Sequence, residues 1–278
     1  MTEAGEHMGP DRIAFSREGA VARLCLTNPA GRNAIDLRFC RAFAEAAAAC
    51  EAARDAAVIL VSAEGDAFSV GGDIREFVAE KNRAEAHGRQ MTEALHEGVL
   101  RLQRAPAPVL VAVSGVAAGA GFSLVCGADL VIAGRSARFT SAYTRSGLTP
   151  DGGGTWFLPR IVGFRRAFEL MALNPVLGAD EALALGIVSR IVDDDALGRE
   201  AEALAQQLAA LPSGGLAGLK ALLRASGHAA LGDQLDAEAD SIARLLGTPS
   251  TMAQLEAFLK KRYGSRPGSH HGHARHSG

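Results

Sequence analysis

Apolar positions along this chain fall into short runs whose period switches between that of a strand and that of a helix. Residues 13–15 and 21–26 flank a Glu18-Gly19 turn signal and predict a β-hairpin, which Asn28-Pro29 ends. Residues 37–53 are alanine-rich, with Phe39, Cys40, Phe43 and Ala47 near helical spacing. A strand-type run at 58–61 leads into a glycine-rich loop over 65–72, after which Asp73 opens a helix. Residues 84–104 predict another helix, ending before Pro106 and Pro108. The unbroken apolar run 109–113 reads as a buried strand. Residues 122–126 turn helical, 130–133 return as a strand, and 147–160 form a second tight region. Short helices follow at 163–172 and 179–186, and from about Asp195 to Arg262 the chain is helical and rich in alanine and leucine. Strands alternating with helices predict an α/β fold.

Composition narrows the class. Among 278 residues, 48% are hydrophobic, enough for a sizeable core, and 22% are charged with a formal net charge of -2. That balance gives no basic patch of the kind nucleic acid demands, and no apolar run has the length of a membrane span. The polar, acidic start MTEAGEHMGPDR lacks a signal-peptide pattern. Cys25, Cys40, Cys50 and Cys126 show no CxxC spacing and read as reduced thiols of a cytoplasmic protein. Four of the eight histidines lie in the tail GSRPGSHHGHARHSG, which reads as disordered rather than as a metal site.

Two glycine-rich turns each follow a strand and precede a helix: Ser69-Val70-Gly71-Gly72-Asp73 and Gly119-Ala120-Gly121. Small residues leave backbone N–H groups unshielded there, and the helix start adds unpaired donors. Two such donors aimed at one point hold an oxygen that gains negative charge. Phosphate binding is the rival use, but neither GxGxxG nor GxxxxGK[ST] occurs. Tight turns with no ligand are the plain structural alternative.

Three long segments then carry a family resemblance. AFSVGGDIREF (67–77), PVLVAVSGVAAGAGFSLVCGADLVIA (108–133) and ARFTSAYTRSGLTPDGGGTWFLPRIVG (137–163) resemble the crotonase, or enoyl-CoA hydratase/isomerase, superfamily, in the right order and separation. NPAGRNAID (28–36) and AFLKKR (257–262) extend the likeness over residues 12–262. The resemblance implies a spiral of ββα units over 11–195, a helical C-terminal trimerisation region over 196–262, a tail over 263–278, and assembly as a homotrimer or dimer of trimers. It implies acyl-CoA substrates, with coenzyme A part of the substrate and no separate cofactor or metal. Gly72 and Ala120 N–H groups would bind the thioester carbonyl. Ala30 and Arg32 would lie at the adenine end of CoA, with Asp73 and Ile74 in the adjoining loop. Arg75 would meet phosphate, and Phe258 and Lys261 would reach CoA from a neighbouring subunit.

The same resemblance bears on the reaction. Ser123 and Tyr143 occupy the positions of the two glutamates that hydratases of this family use, and neither is a carboxylate. Asp151, in Pro150-Asp151-Gly152-Gly153-Gly154, remains, and GLTPDGGGTWFLPR looks closest to epoxyphenylacetyl-CoA isomerase-like members. One carboxylate suffices for a 1,3-proton shift, which needs no water. The competing role for Asp151 is an N-cap of the helix starting near Thr155. Asp73 reads as a cap or loop anchor and Asp129 as structural. His96 is a candidate for the acyl pocket, since a family dehalogenase uses a histidine in the comparable helix, and Trp156 reads as core. An isomerase with Asp151 as acid/base is the first expectation. An enoyl-CoA hydratase and a non-catalytic acyl-CoA-binding oligomer are the alternatives.

Overall fold

The computed structural model describes residues 12–263, in two compact units that divide between Ala221 and Leu222. The tail expected over 263–278 lies, beyond Tyr263, outside the described residues.

The first unit opens with the hairpin. Strands β1 (Ile13–Glu18) and β2 (Val21–Leu26) pair antiparallel from Ile13↔Leu26 to Glu18↔Val21, and Gly19 takes φ +57° in the tight turn. Helix α1 (Leu37–Ala52) starts at an Asp36 cap whose carboxylate accepts from the Phe39 N–H at 2.7 Å. Strand β3 (Val58–Ala63), strand β4 (Ala67–Ser69), helix α2 (Ile74–Ala79) and helix α3 (Ala84–Arg104) follow. Next come β5 (Val109–Val113), β6 (Val116–Ala118), α4 (Ala120–Cys126), β7 (Leu130–Gly134), β8 (Arg138–Thr140) and α5 (Gly154–Val162). The unit continues through α6 (Phe164–Leu173), β9 (Leu177–Gly178), α7 (Ala179–Ala184), β10 (Arg190–Val192) and α8 (Leu197–Ala209).

The strands build two sheets. One has six strands in the order β1-β2-β3-β5-β7-β10, parallel beyond the hairpin, and the other has four in the order β4-β6-β8-β9. Strands β3, β5 and β7 of the large sheet each run on, after two or three residues, into β4, β6 and β8 of the small one. A helix follows each step, so the chain is a spiral of ββα turns. Gly115 allows one of these crossings: a Cβ there would lie 1.8 Å from the Asp66 carbonyl oxygen.

Both faces of the large sheet are covered, which is why its strands read as unbroken apolar runs. Side chains alternate along β3: Ile59 and Val61 pack with Phe39 and Phe43 in the larger core, while Val58 and Leu60 join a second core with Leu197, Ala201, Leu204 and Ala205 of α8. Burying Leu197 and Leu204 contributes about 2 kcal/mol each. Helix α8 therefore belongs to the first compact unit. Buried Lys220 fastens the end of this unit. Its Nζ donates to the Leu102 and Ala107 carbonyls, both at 2.9 Å, and lies 3.3 Å from Asp129 Oδ2, which also accepts from the Val109 N–H. Asp129 is thus structural, as expected. Trp156 is not core: it is 37% exposed and stacks under the Arg160 guanidinium at 3.9 Å.

The second unit holds α10 (Leu231–Leu246) and α11 (Pro249–Tyr263), following the end of α9 (Ser213–Ser226).

Candidate active site

A cavity of about 730 Å³ opens in the first unit where the two glycine-rich turns meet. Gly71 makes the meeting possible. Its φ is +86°, and a Cβ on it would lie 2.9 Å from the Ala118 carbonyl oxygen and 3.3 Å from Gly119 Cα. The turn after β4 and the turn after β6 therefore touch backbone to backbone. Gly121 serves the same approach two residues beyond Gly119, since its Cβ would meet Ser69 Cβ at 2.6 Å.

This contact presents two N–H groups to the cavity. Ile35 forms a parallel bridge with Gly72: its N–H donates to the Gly71 carbonyl at 2.8 Å, and its carbonyl accepts from Asp73 at 3.0 Å. The Gly72 N–H consequently points to the other side of the chain. Ala120 is the first residue of α4, where an N–H has no intrahelical acceptor. Among the described residues neither N–H has a partner, and both residues line the cavity.

Asp151 lies in the same wall. It does not cap α5, whose N-cap is Gly153 and which carries no side-chain cap. The Tyr143 hydroxyl instead donates to Asp151 Oδ1, and no other donor among the described residues reaches the carboxylate. Burial pushes the Tyr143 phenol well above its ordinary range, and the Asp151 charge and hydrogen bond add to this, so the phenol keeps its proton and remains a donor. Ser123 is buried behind this pair, with Oγ 3.4 Å from the Tyr143 oxygen, and is not part of the cavity wall. Glycines at 152 and 154 leave it room: a Cβ on Gly154 would sit 2.5 Å from Ser123 Oγ. Glu85 also borders the cavity, but at an exposed position on α3.

His96 departs from expectation. It is exposed on α3 and outside the cavity wall, and its Nε2 accepts from the Gly152 N–H at 3.2 Å. Of the residues expected near CoA, Gly72 and Ile74 line the cavity. Asp73 caps α2 by accepting from the Arg75 N–H, and the Arg75 guanidinium is exposed, 3.6 Å from that carboxylate. Ala30 is exposed in a short 3-10 turn, and Arg32, left-handed at φ 52°, lies 3.5 Å from Asp66. Phe258 and Lys261 are exposed on α11 of the second unit.

Sequence reasoning missed the apolar walls of the cavity: Cys40 from α1, Phe77 from α2, Met91 and Leu95 from α3. Their only signal was an apolar residue on a helix, which every core helix shares. Burial pushes the Cys40 thiol up to about 12, helped by the charges of Asp151, Asp36 and Glu76.

Residues 16–265 match the family model described as enoyl-CoA hydratase/isomerase. The chain belongs to that family. It is 36% identical to the 1,2-epoxyphenylacetyl-CoA isomerase of Escherichia coli (strain K12), over 88% of this chain and 94% of the relative. It is also 36% identical to a Rhodobacter capsulatus protein named "Probable enoyl-CoA hydratase", over 90% of this chain and 95% of that one. The crystal structure of an enoyl-CoA hydratase from Polaromonas sp. JS666 superposes with a TM-score of 0.85 at 34% identity, covering 90% of this chain and 98% of that one. This crotonase-superfamily enzyme thus has the acyl-CoA chemistry of its family. Relatives at equal identity carry both isomerase and hydratase names, so the reaction has to be read from its own residues.

Proposed function

We propose that this enzyme is a CoA-thioester isomerase, which shifts a double bond or rearranges an epoxide of an enoyl-CoA or epoxyphenylacetyl-CoA type substrate. The observation that carries the reading is the pairing of Asp151 with Tyr143 beside the two unpartnered N–H groups. The Gly72 and Ala120 N–H groups receive the thioester oxygen and stabilise its enolate, which acidifies the α-carbon. Asp151 removes a proton from one carbon and returns it to another. Tyr143 anchors Oδ1, leaving Oδ2 to the substrate. A hydratase needs a second group to activate water, and the positions that would supply it hold Ser123 and a protonated Tyr143.

Asp151→Asn is expected to reduce isomerisation by about 10²–10⁴-fold, the span of general acid–base catalysis, while acyl-CoA binding persists. Unchanged turnover in this variant refutes the assignment. Hydration is the second reading, favoured by the hydratase names among relatives. Robust loss of the conjugated thioester of crotonyl-CoA in wild-type enzyme would select it, and binding without turnover across an acyl-CoA panel would select a non-catalytic binder.

The reading includes assembly as a homotrimer or dimer of trimers through the C-terminal helices and residence in the cytoplasm. Leu231, Leu235 and Ile242 of α10 and Leu259 of α11 are all more than half exposed, more apolar surface than a solvated helix pair needs. All four cysteines are free, and no described helix is long and apolar enough to cross a membrane. Sedimentation equilibrium decides the assembly state, a monomer being the refuting result.

A further inference from the structure

We infer that His96 is a positioning residue, which fixes the Asp151 carboxylate through the backbone instead of touching substrate. This rests on the acid/base reading of Asp151 and adds a residue to it. The peptide plane joining Asp151 to Gly152 is held at both ends. Its carbonyl, on Asp151, accepts from the Gly154 N–H at 3.0 Å, and its N–H, on Gly152, donates to His96 Nε2 at 3.2 Å. Turning that plane swings the Asp151 Cα–Cβ bond and with it the carboxylate. Gly152 and Gly153 are both left-handed, at φ +60° and +83°, where glycine moves freely, and the Asp151 side chain has one anchor, the Tyr143 hydroxyl.

Helix α3 supplies a firm base for the bond. Leu95, next to His96, is buried and forms part of the cavity wall, and its Cδ2 comes within 3.7 Å of where a Gly152 Cβ would stand. Val99, three residues beyond His96, is buried in the same core. The ring itself is exposed and outside the cavity, so it has no direct path to the substrate. Accepting through Nε2 places its proton on Nδ1, so the contribution of the ring is an acceptor at one point in space. Glutamine can present an amide oxygen at nearly that point, and leucine cannot.

The test uses full-length His96→Leu, His96→Gln and Asp151→Asn enzymes. For His96→Leu, kcat for isomerisation is expected to fall about tenfold, the effect of one lost hydrogen bond expressed at the reacting carbon. KM stays within about twofold, because no binding contact is removed. His96→Gln is expected to recover most of the lost kcat. Hydrogen exchange read by mass spectrometry on a peptide covering residues 148–154 is expected to speed up in His96→Leu and to return toward wild type in His96→Gln. Wild-type kcat and exchange in His96→Leu overturn the inference. Equal, large losses of kcat in both variants with unchanged exchange also overturn it, since they would make the ring a direct participant. Full turnover in Asp151→Asn would refute the acid/base reading alone, and the exchange of Gly152 would still decide whether His96 holds the turn.

Discussion

Replacing Gly71 by alanine tests whether backbone contact between two turns sets the oxyanion hole. The new Cβ would lie 2.9 Å from the Ala118 carbonyl oxygen and 3.3 Å from Gly119 Cα, and both obstacles are backbone. Ordinary contact begins near 3.4 Å, so the turns must part by several tenths of an ångström. The left-handed φ of +86° adds about 1–2 kcal/mol of strain for an L-residue, and overpacking adds about 1–3 kcal/mol. At roughly 2–4 °C per kcal/mol for a domain of this size, Tm is expected to fall by about 4–20 °C. Activity falls further than stability, because the same displacement separates the Gly72 and Ala120 N–H groups. Loss of one such donor costs about 10²–10³ in rate. The control is Gly19→Ala, left-handed at φ +57° in the first hairpin with nothing within 4 Å of its Cβ. It carries the strain without the contact. Below the melting range of both variants, deuterium uptake at the α-carbon of a turned-over acyl-CoA, followed by NMR, reports enolate formation directly. If Gly71→Ala exchanges the α-proton within about threefold of Gly19→Ala, the two turns do not set the site and the reasoning fails.

Asn33→Ala is expected to lower stability by about 3 kcal/mol in a urea melt, because buried Asn33 joins three segments by accepting from the Asn28 N–H and donating to the Glu64 and Ala67 carbonyls. A loss under 1 kcal/mol would contradict that. Asp36 gives a pH dependence. Burial alone would raise its pKa, but the Arg12 guanidinium and the Phe39 N–H outweigh it and hold the carboxyl below its ordinary value. A depressed folded-state pKa contributes stability above the unfolded value of about 3.9 and loses it as pH falls through the folded value. Wild type should therefore lose more stability than Asp36→Asn between about pH 5 and pH 2, and parallel curves would count against the pairing. Native Cys40, with its thiol pushed up to about 12, should resist iodoacetamide at pH 8 although it borders the cavity. Rapid alkylation there, found by peptide mapping, would show that the wall is open to solvent.

Much of this was legible in the chain because local chemistry decided it. The strand 109–113 ends where the run of apolar side chains ends, and the helix 84–104 stops where Pro106 and Pro108 forbid it to continue. The two glycine-rich turns were also visible as residue types at fixed spacings, and the family resemblance implied that Ser123 and Tyr143 stand where hydratases carry glutamates. Tertiary structure alone decided the rest. Strands of two or three residues, such as β4 inside the expected loop and β9, carry too few side chains for a period and exist only because a neighbouring strand supplies their hydrogen bonds. Helix α8 reads like the helices after it, yet it closes the second face of the large sheet. Asp151 could have been a cap or a cavity carboxylate from its neighbours in sequence. The capping position fell to Gly153, and a tyrosine eight residues earlier turned its hydroxyl to the carboxylate. His96 met Gly152 across 56 residues. Side-chain direction across such separations depends on how helices and turns pack, and no local pattern encodes it.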